Sequence, residues 1–308
     1  MILFLLAACG GDGAEVGGDG TEAESLQNIR LALNWFPEPE FGGFYEGVVG
    51  GHYEKAGFKV DIIPGGPGAP TLELLGTGRA EAAISAADDL LIKRNKGIKG
   101  IGVYPAFQNS PQGLMAHSVS GFEAAGDVPP GSTIAIELGS PFQKFLWSTF
   151  EWGDTVKSVP YTGLLGSFFT DESAIQQAYI TSEPCLVKAK GGSPVFLEAS
   201  AAGWNPYGSL LVLPDPLPEW SEDFIKATHT AWEAYIKAPE QANTAIMAAN
   251  DQLGPGLMDC IVEAQKPYLT GADGLGKMTA SRWQAMNTQL VNLGLLPEGS
   301  TSDGAWKQ

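Results

Sequence analysis

The sequence has little positive charge. Its 308 residues include 18 lysines and arginines against 35 aspartates and glutamates, which gives a formal net charge of −17. Residues 1–27 hold five of the acids and no base, so the remaining chain still carries 30 acids against 18 bases. Nucleic-acid binding draws its affinity from clustered basic side chains, so this imbalance excludes a nucleic-acid partner. It disfavours anionic small ligands more mildly, because a local site can override the global field.

Side chains typical of catalysis and metal binding are also scarce. The chain has three histidines and three cysteines. His52, His117 and His229 are scattered along the sequence, and we interpret each as a structural residue. The G-x-S-x-G, G-x-x-x-x-G-K-[ST] and H-E-x-x-H motifs are missing from the sequence. We therefore expect no enzyme activity, no cofactor and no metal site.

Beyond the N-terminus, no segment approaches the roughly 18 consecutive apolar residues of a membrane span. Hydrophobic residues make up 44% of the chain and the mean hydropathy is −0.01. These values are typical of a globular protein with an ordinary core. At roughly 150 residues per domain, the length predicts two domains.

The first 27 residues are typical of a targeting segment rather than of a folded domain. Residues 1–8 are apolar, LAAC ends at Cys9, and a glycine-rich acidic run that cannot bury a core follows. The pattern resembles a bacterial lipoprotein signal, which predicts a lipid anchor on Cys9, a flexible tether, and a location in the periplasm or on the cell surface. Only eight residues precede Cys9 and none is basic, which departs from the usual signal peptide. A chance apolar start is the alternative.

Cys185 and Cys260 match no metal-ligand spacing. Export permits a disulfide between them without requiring one. We favour two buried free thiols over a disulfide.

From Asn28 onward, extended and helical patterns alternate. NIRLALNWF, FGGFYEGVVGGHYEKAG and FKVDIIPG predict a β-α-β start, and the alternation predicts a parallel sheet covered by helices. A second unit starts near Gly113, and the chain turns mainly helical after Pro214. The sequence predicts an α/β fold with a discontinuous first lobe (28–113 plus 214–308), a second lobe (114–213) and two extended crossovers.

Several segments resemble a known family. LNWFPEPEFGGFYEGVVGGHYEKAGFKVDIIPGG is similar to the start of periplasmic solute receptors of ABC importers in the NMT1/THI5-like group, which includes SsuA-type and ThiY-type receptors. ELGSPFQKFLW, QAYITSEP, GWNPYGSLLVL and SRWQAMNTQLVNLGLL resemble recurrent family segments, and the resemblance covers about residues 28 to 300. It implies a type II periplasmic-binding-protein fold with the ligand between two lobes.

Ligands of open α/β sheets bind beyond the carboxyl ends of the strands, so the loops that follow the strands hold the candidate residues. In the first lobe Trp35 ends the first strand and is followed by Pro37 and Pro39, which stiffen the loop, and its ring suits a flat heterocycle. A core position is the alternative for Trp35 and for Tyr45. Asp88 is a candidate acceptor for a ligand amine or a simple helix-capping residue. Phe107, Gln108 and Ser110 precede the first crossover.

In the second lobe, Gly139 and Ser140 open a helix whose N-terminus suits a carbonyl, carboxylate or phosphate. Simple N-capping by Ser140, with Pro141 as the first helical residue, is the alternative. Glu183 follows a strand and is a candidate for reading the N–H edge of a base, or an ordinary loop carboxylate. The last three candidates are Trp204, Asn205 and Tyr207, just before the second crossover.

These residues predict a monomeric receptor that closes by a hinge around a small molecule and then docks on a membrane permease. We expect a small planar heterocycle of the thiamine pyrimidine precursor type. Riboflavin-like flavins and small anions such as sulfonate or nitrate are the alternatives. A pyrimidine synthase of the THI5 type is the alternative from another class, but the cysteine-rich signature of that enzyme is missing here.

Overall fold

A computed structural model describes residues 25–271 and 273–308. The residues predicted to form the signal and most of the tether, including Cys9, lie outside this part of the chain. The strands are β1 (Gln27–Ala32), β2 (Phe58–Ile63), β3 (Ala82–Ser85), β4 (Gly100–Phe107), β5 (Gln112–His117), β6 (Thr133–Ile136), β7 (Lys157–Pro160), β8 (Ile175–Tyr179), β9 (Pro194–Glu198) and β10 (Gly208–Pro214).

Helices alternate with the strands up to β10 and then form a C-terminal block. They are α1 (Gly42–Val49), α2 (His52–Lys55), α3 (Thr71–Gly76), α4 (Ala87–Asn95), α5 (Pro141–Thr149), α6 (Gly166–Thr170), α7 (Glu183–Ala189), α8 (Ser221–Lys237), α9 (Glu240–Ala249), α10 (Pro255–Leu269) and α11 (Ala280–Asn292). None of these helices has both the length and the apolar character needed to cross a membrane.

The strands form two five-stranded sheets, ordered β2-β1-β3-β10-β4 and β7-β6-β8-β5-β9. We call each sheet with its covering helices a lobe. β1 runs parallel to β2 and β3, and β6 runs parallel to β7 and β8. The predicted α/β fold is confirmed, and the predicted parallel sheet is found as two mixed sheets, each of which also contains an antiparallel strand. β10 and β5 are antiparallel to their neighbours, because each enters its sheet directly from the other lobe.

The position of β10 also bears on the predicted lobe ranges. The range 114–213 would place β10 in the second lobe, whereas its hydrogen bonds join it to β3 and β4 of the first. The sequence of an apolar strand does not show which of the two sheets it joins, because the strands with which it pairs are distant in the chain.

Two glycines allow close packing in the core of the first lobe. A Cβ atom on Gly42 would lie 2.0 Å from the ring of Tyr235, and one on Gly43 would lie 2.1 Å from the ring of Trp232. Helix α8 can therefore press its aromatic side chains directly against the backbone of α1. This contact fixes the start of α1, and so the loop between β1 and α1 that reaches the site.

A disulfide joins Cys185 on α7 to Cys260 on α10, with an S–S distance of 2.02 Å. The prediction of two free thiols is therefore wrong. The two cysteines are 75 residues apart and match no motif, so only the packing of α7 against α10 brings them together. Helix α7 follows β8 of the second sheet, whereas α10 packs on β4 of the first. The disulfide therefore links the two lobes.

We expect the double substitution C185S/C260S to lower the free energy of unfolding by about 2 to 4 kcal/mol, because the crosslink restricts the unfolded chain. Denaturant unfolding with and without dithiothreitol measures this. The reductant should destabilise the unsubstituted protein and leave the double variant unchanged. Equal stability of both proteins under oxidising conditions would contradict the crosslink.

Candidate functional site

A cavity of about 550 Å³ lies between the lobes, and loops that follow strands of both sheets line it. Asn34 and Trp35 follow β1, and Ser85 and Ala86 connect β3 to α4. From the second sheet come residues 137–142 after β6, Tyr179 at the end of β8, and Ser182 and Glu183 after it. This is the edge at which α/β sheets bind ligands.

The twelve residues predicted to contact ligand divide equally. Those that line the cavity are Trp35, Asp88, Ser110, Gly139, Ser140 and Glu183. Those that do not line it are Tyr45, Phe107, Gln108, Trp204, Asn205 and Tyr207.

Three of the non-lining residues are buried in or beside the first lobe. Tyr45 and Phe107 belong to its hydrophobic core. Gln108 is buried, and its backbone N–H donates to the carbonyl of Tyr268 at 2.7 Å. The positions at the end of β4 therefore anchor the strand to α10.

The aromatic residues before the second crossover pack against neighbouring helices. Trp204 is fully buried, its ring centroid 5.3 Å from that of Phe145, and its Nε1 donates to Gln112 Oε1 at 3.2 Å. The hydroxyl of Tyr207 accepts from the backbone N–H of Thr279 at 3.0 Å. The sequence alone could not show whether these aromatic residues pack against helices or contact a ligand, because both roles place aromatic residues beside a crossover.

Asn205 connects the two crossovers. Its Oδ1 accepts from the backbone N–H of Ser110 at 2.8 Å, and its Nδ2 donates to Asn109 Oδ1 at 3.0 Å. Asn205 thus holds together the segments about which the lobes would move, although it does not reach the cavity.

Trp35 is half-buried at the boundary between the lobes. A Cβ atom on Gly163, in the loop after β7 of the second sheet, would lie 3.5 Å from the indole ring. Phe36 packs edge-on against Trp35 with ring centroids 5.3 Å apart. The indole ring therefore lies in the cavity wall, and the loop of the second lobe that contains Gly163 lies against the edge of the ring.

Ser140 is the N-cap of α5, as predicted, because its Oγ accepts from the backbone N–H of Gln143 at 3.2 Å. The N–H of Gly139 donates to Gln143 Oε1 at 2.5 Å. Gly139 has φ of 77°, which favours glycine at this turn. Both residues line the cavity. The N–H of Gly139 and the hydroxyl of Ser140 already form hydrogen bonds with Gln143 in the first turn of α5.

Glu183 is the first residue of α7, and the protein already holds both of its carboxylate oxygens. Oε1 accepts from the hydroxyl of Tyr161, and Oε2 accepts from the backbone N–H of Tyr179 at 2.8 Å. Burial raises the pKa of Glu183 above its usual range. The carboxylate is therefore fixed in orientation at the cavity wall.

Sequence reasoning missed two buried carboxylates, Glu38 and Glu40, in the same loop as Trp35. They are 7% and 6% exposed. Burial, followed by the charges of Glu40 and Glu183, raises the pKa of Glu38 well above its ordinary value. Burial and then Glu183 raise the pKa of Glu40 to about 8. Their signal in the sequence is the run WFPEPEF, in which prolines hold two glutamates at the exit of β1.

Asp88 lies in the first turn of α4, two residues after the N-cap position at Ala86. It is 8% exposed, and its Oδ1 finds no hydrogen-bond partner in the described part of the chain. Burial first, and then the charges of Asp89 and Glu137, raise the pKa of Asp88 to about 7. Asn34 Oδ1 and Glu38 Oε2 are two further acceptors in the cavity wall that no described residue satisfies.

The cavity wall carries few bases. Only Lys93 and Lys96 contribute positive side chains among the described lining residues, and Lys93 is paired with Glu73. His52, His117 and His229 lie elsewhere; His117, for example, bonds the carbonyl of Phe168 through Nε2 at 2.7 Å. Across residues 25–271 and 273–308, no group of three or more His, Cys, Asp or Glu side chains is arranged to hold a metal ion.

Comparisons with known proteins agree with this architecture. The family model described as "NMT1/THI5 like" matches residues 38–242. A formylaminopyrimidine-binding protein of Halalkalibacterium halodurans is 20% identical over 275 residues, which cover 82% of this chain and 78% of that protein. The riboflavin-binding protein RibY of Chloroflexus aurantiacus is 22% identical over 330 residues, which cover 96% and 91% of the two chains.

The fold of this chain is similar to that of the alkanesulfonate-binding protein SsuA from Xanthomonas axonopodis pv. citri. The TM-score is 0.67 at 13% identity, with 92% of this chain and 99% of that chain covered. The periplasmic nitrate-binding protein NrtA from Synechocystis PCC 6803 gives a TM-score of 0.66 at 11% identity, with 89% and 83% covered. The two-sheet architecture is thus that of periplasmic binding proteins. Because the family model spans about two thirds of the sequence, the chain belongs to the NMT1/THI5-like family.

Proposed function

We propose that this protein is an extracytoplasmic solute receptor of an ABC importer. It binds a small planar heterocycle of the thiamine pyrimidine precursor type between its lobes. The observation that carries the proposal is the cavity of about 550 Å³ between two sheets, with an indole in its wall and unsatisfied acceptors beside it. The names of the two curated relatives, which refer to a formylaminopyrimidine and to riboflavin, support a flat nitrogen heterocycle.

The proposed mechanism is hinge closure. The ligand first stacks on Trp35 of one lobe, and rotation about the two crossovers brings the loop containing Gly163 and Tyr161 over it. The closed form then docks on a membrane permease and releases its ligand unchanged. No bond is made or broken in this mechanism.

The interlobe disulfide supports export, because disulfides persist in oxidising compartments outside the cytoplasm. Attachment to the membrane through a lipid on Cys9 is part of the same proposal. The protein would then act as a monomer tethered beside its permease.

We expect a thermal-shift panel to separate the candidate ligands. Hydroxymethylpyrimidine-type compounds should raise the melting temperature, and taurine and nitrate should not, because no arginine of the described residues lines the cavity. Riboflavin, the second candidate, should give the smaller shift of the two heterocycles. Stabilisation by the anions alone would contradict the proposal.

We expect Trp35→Ala to weaken binding of the stabilising heterocycle about ten-fold or more, because the stacking surface is removed. Phe169→Ala is the control, since it removes an exposed ring on α6 outside the cavity wall. Titration calorimetry measures both variants. Equal affinity of the Trp35→Ala variant and the unsubstituted protein would place the ligand elsewhere.

A further inference from the structure

The acids of the cavity come from both lobes. Glu38 and Glu40 follow β1 of the first sheet, and Glu183 begins α7 of the second; we call these three residues the Glu38 group. Asp88 and Asp89 on α4 face Glu137, which follows β6 at the exposed rim; we call these the Asp88 group. Each group therefore spans the cleft.

Within the described residues, none of these six carboxylates takes part in a salt bridge. Among the six, only Asp89 feels basic side chains, because the charges of Lys93 and Lys96 lower its pKa against the larger effect of burial. Burying a carboxylate without a partner is costly, and proteins ordinarily pair such groups. The positive charge that would pair with these carboxylates is therefore expected on the ligand.

Two of these acids also present an unused acceptor. Glu38 Oε2 and Asp88 Oδ1 have no hydrogen-bond partner among the described residues, and both side chains are more than nine-tenths buried in the cavity wall. Asn34 Oδ1 is a third unused acceptor in the same wall. The buried donors without a partner among the described residues lie outside this wall; they are Gln176 Nε2, Thr181 Oγ1, Trp232 Nε1 and Trp283 Nε1. The unused acceptors of the wall therefore call for a ligand rich in N–H groups.

An organic cation fits these groups better than a metal ion. Metal coordination needs several oxygen ligands converging on one point, and no such group is found among the described residues. A planar cation instead reaches separate acceptors through separate N–H groups, while its ring lies on Trp35.

Resting on the proposed receptor function, we propose that the ligand is an organic cation, a planar ring bearing a protonated amine, held between the buried carboxylates of the two lobes. Without it, those acids of the two lobes that are ionised repel one another as the cleft closes, and this repulsion opposes closure. With it, each lobe gains a charge-assisted hydrogen bond on closing. The same carboxylates therefore select the ligand and keep the empty receptor open.

The buried carboxylates determine whether affinity for a cation rises or falls with pH. The pKa is raised to about 7 for Asp88 and to about 8 for Glu40, so both bind protons as the pH falls to 5 and lose their attraction for a cation. The other titratable or charged groups that line the cavity are Glu73, Lys93, Lys96, Tyr161 and Tyr179. A primary alkylamine stays protonated below pH 7.5, so affinity for it should rise with pH over this range.

The test uses two probes that share one ring. They are 4-amino-2-methylpyrimidine with either a 5-aminomethyl group, which is cationic, or a 5-hydroxymethyl group, which is neutral. At pH 7.5 we expect calorimetry to show the cationic probe binding about ten-fold or more tightly, and the ratio to fall towards one at pH 5.

Variants assign the preference to the carboxylates. Asp88→Asn and Glu38→Gln keep the shape of each side chain and should each reduce the ratio of the two affinities several-fold, because loss of the negative charge weakens binding of the cationic probe more than binding of the neutral one. Asp223→Asn is the matched control, because it removes the same charge from a side chain that is 72% exposed on α8. Melting temperatures confirm that each variant is folded.

Other outcomes overturn the inference in distinguishable ways. Tighter binding of the hydroxymethyl probe or of riboflavin would overturn the cationic ligand and leave the heterocycle receptor standing. Stabilisation by CaCl₂ or ZnCl₂ alone that is lost in Asp88→Asn would assign the acids to a metal and overturn the inference. Failure of all of these heterocycles to bind would overturn both the inference and the proposed ligand class.

Discussion

Carboxylates that are buried without a basic partner dominate the physics of this cleft. Glu38, Glu40, Asp88 and Glu183 are each less than a tenth exposed, and their charges meet across the gap between two lobes. Burial alone would keep such groups neutral, and mutual repulsion acts in the same direction. An acidic cavity of this kind stores an unfavourable interaction that the proposed cationic ligand would relieve, and this relief would favour the proposed closure.

The fold supplies this arrangement through its strand ends. Parallel strands β1 and β3 deliver Trp35 and Asp88 to one edge of the first sheet, while β6 and β8 deliver Ser140 and Glu183 to the facing edge of the second. The antiparallel strands β5 and β10 return the chain between the lobes. Asn205 joins the two crossovers, and the disulfide between α7 and α10 ties the lobes beside the buried acids. In the proposed hinge closure, the lobes would rotate about the two crossovers while this disulfide keeps them linked.

Local patterns predicted the parts of this structure that depend on neighbours in sequence. The alternation of elements, the N-cap at Ser140 and the placement of Trp35 after β1 all follow from short-range rules. The disulfide, the antiparallel entry of β10 and the burial of Glu38 depend on residues far away in the chain. The prolines of WFPEPEF place two glutamates at the exit of β1, but glutamates are ordinarily exposed, so this run does not distinguish a buried pair from a solvated one. Trp204 and Tyr207 show the converse difficulty, because aromatic residues beside a crossover suit hinge packing as well as a ligand wall.

The most direct test of the account counts protons on binding. Calorimetry with the aminomethyl pyrimidine at pH 7, repeated in buffers of different ionisation enthalpy, gives the number of protons exchanged per ligand. If a cation settles among carboxylates of raised pKa, it drives the ionisation of about one of them, and between about 0.5 and 1 proton should be released per ligand. Binding without proton release, or with proton uptake, would show that the acids of the cleft do not hold the charge of the ligand.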